Sequence, residues 1–96
     1  MRGDQADVIV GGEVDLSTAQ AFRDALFDAV GRGPAVVVVD AREVAYLDST
    51  GVHALYDAAE AARAAGVSLR IVHARPAVLR VLELSGVTEV LRVDGD

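Results

Sequence analysis

The sequence predicts one α/β domain, a sheet of about four strands with three to four helices. Three observations carry this. Strand-like apolar runs alternate with helical apolar stripes, the connections between them are short, and the run Ala35–Val39 is continuously apolar, as a strand covered on both faces would be. Alternation of this kind implies parallel strand pairs joined by right-handed crossovers. The 96 residues suffice for one domain, and no repeat, low-complexity tract or linker divides them.

Val8-Ile9-Val10 reads as the first strand, closed by Gly11-Gly12. Ser17 has the character of a helix N-cap, with Gln20 three residues on completing a capping-box pattern. Phe22, Leu26, Ala29 and Val30 fall at i, i+4, i+7 and i+8, one apolar stripe, and Gly31, Gly33 and Pro34 end that helix. Ala35–Val39 is the second strand, ended by Asp40. A second helix is expected from about Thr50 to Ala65. Its core stripe is Val52, Leu55, Tyr56, Ala59 and Ala62, its solvent stripe is His53, Asp57, Glu60 and Arg63, and Gly66 lies just past its end. Val67–Val72 is strand-like. Pro76 suits the first turn of a third helix, Val78, Leu79, Val81 and Leu82 give it an apolar face, and Gly86 stops it. Val90–Val93 makes a short last strand. Loops leading from strand to helix, here Asp15–Thr18 and Asp48–Gly51, lie at the strands' carboxyl ends, where sites form in open α/β sheets.

Composition narrows the function. The net charge of −6 disfavours phosphate backbones and anionic membrane surfaces. No apolar run reaches the length of a membrane span, and Met1–Asp7 is polar and acidic, unlike a signal peptide, so a cytoplasmic protein is expected. With no cysteine there is no disulfide, thiolate metal site or thiol nucleophile. The nine basic residues are all Arg, so a Walker lysine is excluded, and Gly11-Gly12 lacks the dinucleotide-binding context. His53 and His73 stand too far apart in sequence, and too alone, to suggest a metal site. Glu13 and Asp15 alternate along a strand end and point to opposite faces, which makes them a poor acid/base pair. Ser49 and His53 share a helix face, yet Ser49 lacks the G-x-S-x-G setting of a nucleophile elbow. No catalytic residue, cofactor or metal is assigned.

The informative stretch is Leu47-Asp48-Ser49-Thr50-Gly51-Val52, where an apolar run gives way to a helix. By local pattern alone Ser49 is an N-cap, its hydroxyl accepting from free backbone N–H groups. The wider pattern says more. Gly12-Glu13-Val14-Asp15 with Ser17-Thr18-Ala19 resembles the G-E-[LIV]-D…T-A segment of STAS domains. Leu47–Val52 is similar to that family's D-S-[ST]-G loop, and Ala35–Asp40 to the strand before it. Arg75-Pro76-Ala77-Val78 and Leu84-Ser85-Gly86-Val87 resemble its last helix and the residues after that helix. The matches are collinear over about residues 8–93.

The resemblance implies a STAS-like fold with a mixed sheet, in which the family's first strand is short or missing here. Residues 1–7 are left as a strand stub or disorder, and a neighbouring sheet edge is open to another chain, a second copy included. It also implies a non-enzymatic anti-sigma factor antagonist. Its partner would be an anti-sigma factor serine kinase of the histidine-kinase-like ATPase class, which phosphorylates Ser49 and so releases itself, and a phosphatase would reset the switch. Asp15, Asp48, Ser49, Thr50, Gly51 and His53 would form the partner surface, with Thr50 the rival acceptor. STAS modules also serve as subunits of lipid-transport complexes, stress-signalling particles and transporters, which is the alternative role.

Overall fold

The β-branched run Val36–Val39 cannot lose its side chains to a helix without crowding at χ1, and it extends as a strand instead. In the computed structural model, which describes residues 4–95, that strand is the long second member of a four-stranded sheet. The elements in order are β1 (Gln5–Val14), α1 (Ala19–Gly31), β2 (Val36–Leu47), α2 (Ser49–Ala64), β3 (Ser68–Ala74), α3 (Pro76–Ser85), a 3₁₀ turn (Val87–Glu89) and β4 (Arg92–Gly95).

The strands lie in sequence order, β1-β2-β3-β4, and every neighbouring pair is parallel. Right-handed crossovers that always step the same way place their helices on one face of the sheet. Burial agrees. Val8, Val37, Val39, Leu69 and Ile71 are buried with Phe22 and Leu26 of α1, Leu55 of α2, and Val78 and Leu82 of α3. The alternate residues Asp7, Ile9, Val36, Val38 and Arg70 face away and are exposed or half-buried. The continuous valine run therefore has only one fully covered face, not the two its composition suggested. The sheet is also not mixed among the described residues, because each strand is followed by a helix that carries the chain back to start the next in the same direction. Gln5–Asp7 belong to β1 itself, paired with Val36–Val38, rather than forming a separate stub. Met1–Gly3 lie outside the described residues. β1 ends the sheet, so its outer edge has no strand beside it among the described residues.

Several boundaries differ from the sequence reading. β1 is not closed by Gly11-Gly12 but runs through both to Val14, with slips in its pairing to β2 on the way. β2 does not stop at Asp40. The Asp40 carboxylate accepts from the Arg42 N–H at 2.9 Å, the pairing with β1 slips between Ile9 and Gly11, and the strand runs on to Leu47. Such an irregularity bends a strand without ending it. α1 starts at Ala19 with no side-chain cap, because the Ser17 hydroxyl is engaged by Asp15 and the Thr18 hydroxyl by the Glu13 carbonyl at the end of β1. β4 begins at Arg92, since Val87–Glu89 form the 3₁₀ turn and Val90 is its cap. Pro76 opens α3 and Gly86, at φ 84°, closes it, as expected. No helix among the described residues is long and apolar enough to cross a membrane.

Candidate functional site

Parallel order puts the ends of β1 and β2 side by side, and the two strand-to-helix loops meet there. The Asp48 N–H donates to the Val14 carbonyl at 3.0 Å, fastening the second loop to the end of β1. In the first loop the Asp15 carboxylate accepts from the Ser17 N–H at 3.0 Å and the Ser17 hydroxyl at 2.8 Å. The Thr18 hydroxyl donates to the Glu13 carbonyl at 2.9 Å and accepts from the Asp15 N–H at 2.9 Å. Ser17 is thus an Asp15 donor, and the expected capping box with Gln20 does not form.

The second loop carries a similar correction. Asp48, in extended conformation, is the N-cap of α2, and Ser49 is the helix's first residue. The Asp48 carboxylate accepts from the Thr50 N–H at 2.9 Å, from the Gly51 N–H at 3.4 Å and from the Thr50 hydroxyl. Both Asp and Ser make good N-caps. Asp48 takes the position because its backbone is held in line with β2. Ser49 is left exposed, and its hydroxyl has no hydrogen-bond partner among the described residues. Thr50 is half-buried, with its hydroxyl committed to Asp48.

Gly51 faces inward. A Cβ built there would lie 2.4 Å from Leu47 Cδ1 and 2.8 Å from Val14 Cγ1, so the start of α2 approaches both strand ends as closely as a backbone can. Gly51 is buried, and its part in the site is this close approach to Leu47 and Val14. Asp15 and Asp48 are half-buried, and His53 is exposed one turn after Ser49.

The core stripe of α2 is turned from the one expected. Ala54 and Ala58 are buried with Leu55, Ala59 and Ala62, whereas Val52 is half-buried and Tyr56 is 46% exposed. Val52 and Tyr56 instead join Ser49 and His53 along a groove of about 650 Å³ between α2 and α3, whose far wall is Val81, Leu84 and Ser85. Leu84 is 78% exposed, and Leu16 on the first loop is 80% exposed. The sequence reading assigns neither to the site. Both are large apolar residues with polar neighbours in sequence, Leu16 on the loop and Leu84 within α3, a weak signal because single exposed apolar residues are common. Phe27 is half-buried, with the Arg23 guanidinium 4.7 Å from its ring centroid.

The family model described as Mlab, STAS domain matches residues 1–93. The chain belongs to the STAS domain family. This STAS domain is 28% identical to an anti-sigma-B factor antagonist of Listeria monocytogenes over 90 residues, covering 94% of this chain and 79% of the relative. The crystal structure of an anti-sigma factor antagonist from Mycobacterium paratuberculosis superposes with a TM-score of 0.86 at 28% identity, covering all of this chain and 81% of that one. The anti-sigma factor antagonist SpoIIAA, in its unphosphorylated form, shares the fold at a TM-score of 0.80 and 16% identity, covering 100% of this chain and 84% of that chain.

The electrostatics of the STAS loops follow from the hydrogen bonds. The Ser17 hydroxyl holds the Asp15 carboxyl below its ordinary range, helped by the Ser17 N–H and by Thr18. The Thr50 hydroxyl does the same for Asp48, with the Gly51 and Thr50 N–H groups, while the nearby charge of Asp15 works against it. A carboxyl whose folded pKa is lowered stabilises the fold fully above its unfolded pKa, here near 3.8, and loses that contribution as pH falls through the folded value. Asn caps a helix about as well as Asp but does not titrate. Asp48→Asn is therefore expected to melt below the wild type at neutral pH, with the gap closing in strong acid. A series of melting curves from neutral pH downward checks this.

Proposed function

We propose that this STAS domain is an anti-sigma factor antagonist whose switch is phosphorylation of Ser49. The observation that carries the reading is the placement of one exposed, unengaged hydroxyl at the head of α2, where the neighbouring Thr50 hydroxyl is tied to Asp48. Two relatives at 28% identity, each called an anti-sigma factor antagonist, support the assignment of class.

The partner is an anti-sigma factor serine kinase of the histidine-kinase-like ATPase class. In the transfer, the Ser49 oxygen attacks the γ-phosphorus of ATP and the bond to the ADP oxygen breaks. The hydroxyl proton passes to a base on the kinase. This domain offers the nucleophile and no catalytic group of its own. Unmodified, it holds the kinase and frees the sigma factor; phosphorylated, it lets go; a phosphatase restores it. Asp15, Asp48, Ser49 and the exposed His53 supply the polar part of the contact surface, and Leu16 and Leu84 its apolar part.

Treatment with the cognate kinase and ATP, followed by phosphopeptide mapping, tests the acceptor. One phosphate on Ser49 is expected, retained in Thr50→Val and lost in Ser49→Ala. Phosphate on Thr50 overturns the assignment. A second reading, a subunit docked in a larger assembly, has the open outer edge of β1 in its favour. Unphosphorylated protein that binds a transport ATPase or a large particle and ignores the kinase supports that reading instead.

A further inference from the structure

We propose that His53 binds the phosphoryl group of phosphorylated Ser49 inside the groove between α2 and α3. The inference rests on reading Ser49 as the phosphoacceptor and adds where the new charge goes and what holds it.

Two places compete for a phosphoryl group on Ser49. One is the N-terminal end of α2, the usual seat for an anion. Here that seat is taken. The Thr50 and Gly51 N–H groups already donate to the Asp48 carboxylate, and the Asp15 carboxylate is close enough to raise the Asp48 pKa by its charge. A dianion placed there would displace hydrogen bonds already made and stand beside two like charges.

The other place is the groove. Ser49 and His53 both line it. They are four residues apart on one helix, which sets their Cβ atoms about 5–6 Å from each other on the same face. Long helical side chains as a rule lean toward the turn before them, and the turn before His53 is the one that carries Ser49. Among the described residues lining the groove, His53 is the one that can carry positive charge.

The other groups around His53 leave this role to it. On α2, Asp48 is occupied as the cap, and Asp57, one turn further on, is engaged by Arg23 of α1 at 2.6 Å. Tyr56 brings a hydroxyl. The wall on α3 is apolar except for Ser85, whose hydroxyl donates to the Leu82 carbonyl at 2.8 Å, and the 3₁₀ turn adds Val87. Apolar walls weaken solvent screening and strengthen a charge pair that forms between them. Phosphorylation would then turn an apolar groove into an anionic one latched by imidazolium.

The test builds phosphoserine into position 49 by genetic encoding, so no kinase is involved. The His53 ring resonances are titrated by NMR in the phosphorylated and unmodified proteins, and the phosphate is titrated by phosphorus NMR in the wild type and in His53→Gln. The His53 pKa is expected to rise on phosphorylation by about half a unit or more, a doubly charged version of an i,i+4 pair. The second pKa of the phosphate is expected to be lower in the wild type than in the H53Q variant by a similar amount, since the coupling is reciprocal. Identical His53 titration in the two proteins, or superimposable phosphate curves, overturns the proposal. That outcome leaves kinase action on Ser49 untouched, and failure of a kinase to modify Ser49 leaves these titrations unchanged.

Discussion

Replacing Ser49 by Asp is expected to weaken binding to the proposed anti-sigma kinase by roughly two to four orders of magnitude, while Ser49→Ala binds at least as well as the wild type. The magnitude comes from desolvation. A hydroxyl closed into an interface needs one hydrogen bond, and a methyl group needs none. An uncompensated charge buried at the same point costs about 3–5 kcal/mol, the scale set by broken buried ion pairs. At 1.4 kcal/mol per decade, that is about a hundredfold to several-thousandfold in Kd. The fold should not register the change. An acidic residue in the first turn of a helix gains from the helix dipole, by about 0.3–1 kcal/mol at an exposed site, and the adjacent Asp48 and Asp15 oppose it. Ser49→Asp is therefore expected to melt within a few degrees of the wild type, where about 1 kcal/mol moves the midpoint of a domain this size by roughly 4–8 °C. Calorimetry with the purified kinase, beside a melting curve, reads both halves.

The second large effect belongs to Gly51. Substitution by Ala places a methyl group 2.4 Å from Leu47 Cδ1 and 2.8 Å from Val14 Cγ1. Both neighbours are themselves buried, Val14 at 2% exposure and Leu47 at 5%, so neither can swing into solvent to make room. Overpacking of this kind destabilises by about 1–3 kcal/mol, and Gly51→Val falls at the upper end because a branched side chain adds two further carbons. Part of the penalty for Ala is offset by its better helix propensity, about 1 kcal/mol relative to Gly. Against a total stability of about 5–15 kcal/mol for a domain, the Val variant loses a substantial share. Because the strain falls on the junction of β1, β2 and α2, it also shifts Asp48 and Ser49. Chemical denaturation measures the loss, and an unchanged midpoint for Gly51→Val would show that the junction is looser than this geometry.

The order of elements was legible because strands and helices leave different periods in the sequence. Phe22, Leu26, Ala29 and Val30 are buried as their spacing requires, and Pro76 and Gly86 bound α3 as their backbones require. What could not be read depended on alternatives that the sequence leaves equal. Asp48 and Ser49 are adjacent and both cap well; the choice is made by how β2 ends, a tertiary fact. Asp40, Arg42 and Glu43 look like a strand end, yet a strand with one face open tolerates charge there, and β2 continues through them. On α2, size misled where hydrophobicity was used as the guide. Ala54 and Ala58 are buried because small side chains let the helix pack close, and Tyr56 is turned outward to the groove. Gly51 carries no local mark of its role, since its value lies in atoms contributed by Val14 and Leu47.

The most direct measurement is a calorimetric titration of the kinase with wild-type domain in two forms, unmodified and phosphorylated on Ser49, each first shown to have the same circular dichroism spectrum. The expected outcome is tight binding for the first and a loss of at least a hundredfold for the second. Equal affinity for the two forms, or a phosphorylated domain that has lost its fold, would contradict a switch that acts through charge alone at the head of α2.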